Sequence, residues 1–198
     1  KENKDQLHPI IGRKRFLTKP KKEQKITDMK CKVLKKQNNS DMCIVCGVEN
    51  DASLKSVFYE LEGGLIAGVT TPKDIHQSYP NRMHGGMISA LLDETLGRAV
   101  QIGKPDIWAV TGELSVRFKK PVPLDKPVIC VGKITKDTSR VYIAEGFIED
   151  EEGNILATSK GTYVKSDVSK ICNGTLGEEN WFYVEEKLPE TIEIKNAD

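Results

Sequence analysis

No stretch of this sequence comes near the ~20 consecutive apolar residues that a membrane-spanning helix needs. Nor do the residues after Lys1 form the short apolar core of a secretory leader. Charge of one sign is missing as well. The 30 Lys and Arg stand against 29 Asp and Glu, which excludes a chain that as a whole grips nucleic acid through its phosphates. Histidine is scarce, and His8, His76 and His84 show no paired spacing of the kind a metal site uses. The five cysteines are an odd, loosely spaced set, unlike the framework of a secreted disulfide-rich domain. These absences predict reduced thiols, no membrane partner, no nucleic-acid partner and a cytoplasmic location.

What is present begins with an uneven distribution of charge. Arg13, Arg15 and the lysines from Lys14 to Lys36 make the start basic, and Glu178, Glu179, Glu185, Glu186, Glu190 and Glu193 make the end acidic. Such runs read as solvated extensions. Pro9, Gly12 and Pro20 break the first stretch, so it lacks the paired helices of a helix-turn-helix. At 198 residues the chain holds one well-cored domain with residues to spare. The expected division is a basic extension over 1–40, a domain over 41–166 and an acidic extension over 167–198. In the last, Trp181-Phe182-Tyr183 and Ile192/Ile194 suggest a docked segment.

The domain is organised around the stretch His84 to Val100, which reads as one helix opened by Gly85-Gly86 and stopped near Gly103-Lys104-Pro105. Wound at about 100° per residue, Ile88, Leu91, Leu92, Thr95, Leu96 and Ala99 fall on one broad face that needs a core. Glu94 and Arg98 lie opposite, as if solvated. Gly86, Ala90, Asp93 and Gly97 form a stripe between, small except for the carboxylate. The first N–H groups of a helix lack internal partners, and Gly85 and Gly86 let a ligand approach them. The helix therefore offers an oxyanion site at its mouth and a carboxylate about two turns further in. The same pattern also suits a buried helix with a glycine start and an incidental Asp.

Before the helix, Ser53 to Val69 reads as a hairpin turning at Glu62-Gly63-Gly64. After it come four strand candidates, taken as a consecutive antiparallel meander. In the first, Trp108, Val110, Leu114, Val116 and Phe118 share one face, and Thr111, Glu113, Ser115, Arg117 and Lys119 share the other. The expected fold class is α+β, an antiparallel sheet wrapped around one long central helix. Cys43-x-x-Cys46 lacks a second ligand pair, so two packed, reduced thiols with Gly47 making a turn are expected, and no metal.

His84-Gly85-Gly86 followed by Leu91-Leu92-Asp93-Glu94, with the later strand Trp108 to Leu124, resembles the signature of hotdog-fold acyl-CoA thioesterases. The branch is the one typified by the phenylacetate-degradation thioesterases. Cys43-Ile44-Val45-Cys46-Gly47 resembles a bacterial subgroup of it. The resemblance covers roughly residues 41–166 and implies a hotdog fold that assembles as a homodimer or a dimer of dimers, with an acyl-CoA substrate. By the same resemblance Gly85 N–H polarises the thioester carbonyl, Asp93 from the other protomer acts as base or nucleophile, Thr111 orients water and His84 supports the site. Gly86, Asn81, Gln77 and Arg117 are the candidate substrate-binding residues. Family members often carry an Asn on the loop before the HGG motif. Ser78 stands there in this chain, which leaves Gln77 or Asn81 to supply the amide. Glu94 is the fallback acid.

Thioester hydrolysis needs no metal and no cofactor, because a thiolate leaves readily. Two other functions fit a hotdog domain: an acyl-CoA sensor without turnover, and an enoyl-CoA hydratase. The basic start lacks the helices of a DNA-binding head, and the loop motif of the hydratases is not seen.

Overall fold

The computed structural model describes residues 29–172, 176–177 and 179–196. Its strands are β1 (Met29–Lys36), β2 (Asn39–Ser40), β3 (Val57–Leu61), β4 (Leu65–Thr70), β5 (Trp108–Phe118), β6 (Val128–Asp137), β7 (Val141–Asp150), β8 (Ile155–Ser166), β9 (Trp181–Phe182) and β10 (Thr191–Ile194). Its helices are α1 (Gly85–Arg98) and the short α2 (Val168–Ile171). Eight strands make one antiparallel sheet in the order β10-β1-β3-β4-β6-β7-β8-β5, and β2 pairs separately with β9. The expected α+β architecture is present.

The six residues assigned to the core face of α1 are all buried. Full burial of Leu91, Leu92 and Leu96 contributes about 1.5–3 kcal/mol each. The helix packs against β4, β5, β6, β7 and β8. It comes closest to the sheet where Gly132 and Gly146 face one another across β6 and β7. A Cβ at either would meet Leu96 Cδ2 at 2.7 or 2.8 Å. Beyond α1 a 3₁₀ turn over Ala99–Gln101 leads to Gly103, whose positive φ of 64° turns the chain away.

The hairpin is as expected, β3 and β4 joined at Glu62–Gly64. The consecutive meander is not. β5 pairs with β8 at the far edge, and β6 pairs with β4 instead. The chain crosses under the sheet with α1 and starts again at the opposite edge. Strand pairing is a non-local choice that the period-2 pattern of each strand leaves open.

The sheet also reaches outside 41–166. β1 pairs with β3 on one side and with β10 on the other, and β9 pairs with β2. The face of the sheet away from α1 has its own small core, in which Ile192 and Ile194 join Cys31, Leu61, Ala67 and Val131. The end of the chain is pinned there by the buried Glu149. Its carboxylate accepts Lys195 N–H and Asn196 Nδ2, each at 2.8 Å. The basic residues before Met29 lie outside the described residues.

Candidate active site

At the mouth of α1, His84 is the N-cap, and its Nδ1 accepts Gly86 N–H at 2.9 Å. That bond takes one of the orphan donors of the first turn. Gly86, expected to meet substrate, is thus engaged by its own neighbour. Gly85 lines a cleft of about 350 Å³ with Arg82, Phe118 and Lys119, and a Cβ on it would lie 3.6 Å from the Phe118 ring. Ser78 also borders this cleft. Gln77 Oε1 accepts the backbone N–H of Asn81 at 2.9 Å, and Asn81 sits at a φ of 62°. That bond shapes the loop before the helix.

Asp93 lies on the side of α1 that faces β5 and β8. Its Oδ1 accepts the Thr111 hydroxyl at 2.8 Å. The Tyr163 hydroxyl is 3.2 Å from both Oδ1 and the Asp93 carbonyl. Burial, and then the negative charge of Asp93, push the Tyr163 phenol well above its usual range, so it remains a donor. The three residues line a cavity of about 320 Å³, with Trp108, Trp181 and Cys43 among the other walls. Tyr163 had no signal in the sequence. It arrives by register, directly opposite Thr111 across β5 and β8.

The alternation along β5 needs correcting. The register slips between Thr111 and Glu113, with Gly112 as the extra residue. Thr111 therefore shares the helix-facing side with Leu114, Val116 and Phe118, and Val110 turns outward, 43% exposed. Arg117 remains on the other face, where it lines a separate cavity with Lys133, Phe147 and Lys160. The structure does not bring Arg117 to Asp93.

The expectation that Glu94 and Arg98 are solvated is also overturned. Arg98 is buried beneath Trp181 and above Phe58, its guanidinium 4.6 Å and 4.2 Å from their ring centroids. It donates to Glu94 Oε1 at 2.8 Å, to the Asn38 carbonyl at 2.8 Å and to Cys46 Sγ at 3.1 Å. The polar side of the helix is covered by β2, the turn at Cys43–Cys46 and β9, contacts that a helical wheel does not contain. Glu94 keeps only partial exposure. The donor atoms of Cys43, Cys46 and Glu94 lie within 4.8 Å of one another. Arg98 already supplies the positive charge there, so the cluster suits a guanidinium better than a metal dication. Cys31, the nearest other cysteine in the sequence, is in the core on the other face of the sheet.

Residues 81–157, which hold the helix mouth, Asp93 and Thr111, match the family model of the Thioesterase superfamily. A crystal structure of a thioesterase superfamily protein superposes with a TM-score of 0.57, at 31% identity over 62% of each chain. The domain has the hotdog fold, and residues 81–157 are similar to the thioesterase superfamily. Zebra fish thioesterase superfamily member 2 has the same hotdog fold at 13% identity, with a TM-score of 0.54 over 60% of this chain and 88% of that one. So does the E. coli PaaI protein from the phenylacetic acid degradation operon, at 16% identity and 0.53, over 60% and 86%. Among curated sequences, an uncharacterised mitochondrial protein of Candida albicans is 29% identical over 93 residues, 47% of this chain and 42% of that one. The hotdog chain thus spans less than half the length of that relative in the match. Among the described residues, no helix is long and apolar enough to cross a membrane.

Proposed function

We propose that this hotdog protein hydrolyses an acyl thioester of the acyl-CoA class to the free acid and thiol. Asp93 acts as base toward water or as nucleophile, Thr111 orients the water, and the Gly85 N–H of a second copy holds the oxyanion. The observation that carries this reading is the environment of Asp93. Its carboxylate sits on a cavity wall held by two neutral hydroxyls, and among the described residues no cation is paired with it. Its charge is left for chemistry.

A second copy is needed because Asp93 is eight residues from Gly85, roughly 12 Å along the helix axis, and the two line different cavities. An antiparallel helix from a two-fold partner sets each Asp93 beside the other mouth. The outer edge of β5 has no partner among the described residues, and it carries the exposed Val110 and Phe118. An open edge of this kind is a template for another strand. The active species is therefore a homodimer or a dimer of dimers, and a fully active monomer in sedimentation with parallel assay overturns that assembly.

The test of the activity is a panel of acyl-CoAs of varied length and ring content, followed with a thiol-trapping dye. Thiol release from at least one, lost in Asp93→Asn, is the expected result. Tight acyl-CoA binding without release moves the acyl-CoA sensor into its place. Hydration of an enoyl-CoA without thiol release moves a hydratase there.

A further inference from the structure

The turn that covers Arg98 holds two thiols that hydrolysis does not use. Gly47 N–H donates to the Cys43 carbonyl at 2.8 Å, closing the turn so that residues 43 and 46 meet. Asn39, buried, ties it down by donating to the Cys46 carbonyl at 3.0 Å. The two sulfurs lie within 4.8 Å of one another. Their surroundings differ. Cys46 is fully buried, with Arg98 donating to its sulfur at 3.1 Å. Cys43 is partly exposed, borders the cavity that Asp93 lines, and its sulfur accepts Val45 N–H at 3.3 Å.

We propose that Cys43 and Cys46 form a thiol–disulfide exchange site, reached through the cavity beside Asp93, that takes a small disulfide of the glutathione disulfide class. Cys43 is the attacking sulfur. Hydrogen bonding from Cys46 lowers its pKa below that of an ordinary thiol, against burial and the Glu94 charge, and so raises its thiolate share. Its sulfur bonds to one sulfur of glutathione disulfide, that S–S bond breaks, and a glutathione thiolate leaves. Cys46 then attacks Cys43 Sγ, its proton passing to the second glutathione thiolate as that leaves. The balance is one protein disulfide and two glutathione thiols for one protein dithiol and one glutathione disulfide. Closure joins two sulfurs that the turn already holds within 4.8 Å of one another.

The experiment reads mass and not turnover, so its outcome is separate from that of the thioesterase reading. The intact protein is equilibrated with glutathione disulfide, trapped with iodoacetamide and digested with trypsin. Peptide 37–55 contains Cys43 and Cys46 and no other cysteine. It should lose two hydrogens and regain them with dithiothreitol. Cys172, exposed, serves as the control that the oxidant has acted. Cys46→Ser should stop at the mixed disulfide on Cys43, and Cys43→Ser should leave Cys46 unreacted. A peptide that stays a dithiol while Cys172 is modified overturns the proposal. So does a stable mixed disulfide in the unmutated protein, equal reaction of Cys43→Ser, or a stoichiometric zinc that blocks the thiols.

Discussion

Asp93 and Glu94 are consecutive on α1, yet the two sides of the helix treat their carboxylates differently. On the side of β5 and β8, Asp93 meets the hydroxyls of Thr111 and Tyr163 and a cavity. On the side of the Cys43–Cys46 turn, Glu94 meets a buried guanidinium clamped between two aromatic rings. Hydroxyl donors orient a carboxylate and leave its charge available, whereas an arginine neutralises it and fastens it to the fold. On the proposed function, the contrast fits chemistry at Asp93 and stability at Glu94.

The most direct way to break the contrast is Asp93→Asn, which keeps the shape and removes the base. We expect kcat toward an accepted acyl-CoA to fall about 10²-fold or more, with KM changing less. Circular dichroism should be unaltered. Next in size is Arg98→Met, on the structural side. It leaves Glu94 without its ion pair and Cys46 without a donor, and we expect a loss of about 2 kcal/mol in urea unfolding. Thr111→Val sharpens the catalytic side. Removing the hydroxyl that aligns the carboxylate should lower kcat roughly tenfold with little effect on the unfolding midpoint. The smallest effect belongs to Glu94→Gln. The pair is partly exposed, so we expect a cost of about 0.5–1 kcal/mol and a rate close to that of the unmutated protein. An inactive Glu94→Gln beside an active Asp93→Asn inverts the assignment.

Much of this was legible in the sequence because it is written in local periods. The apolar arc from Ile88 to Ala99, the turn at Glu62–Gly64 and the glycines at the helix mouth each follow from short-range spacing. The illegible parts depend on residues far apart in the chain. Nothing near Arg98 announces Trp181, which comes from the far end to cover it. Thr111 meets Tyr163 through a pairing of β5 with β8 that no local pattern specifies. β1 joins the sheet from a flank that reads as charged and unpatterned, whereas Ile192 and Ile194 already suggest that the other flank docks, without saying on what.

Gly112 gives the strand carrying Thr111 an unusual mutational landscape. Insertions and deletions are ordinarily absorbed in loops, where they alter reach and leave the core intact. Here a single residue is held inside a strand as a bulge, so the residues on its N-terminal side keep the facing that their pairing with β8 sets. Removing that one codon while β5 keeps its pairing beyond Glu113 leaves Thr111 opposite Tyr163 and Val110 outward, because the extra residue is the one that pairs with nothing. The change that would turn the hydroxyl away is a strand that kept Gly112 and paired it opposite Tyr163, which shifts Thr111 to the outer face.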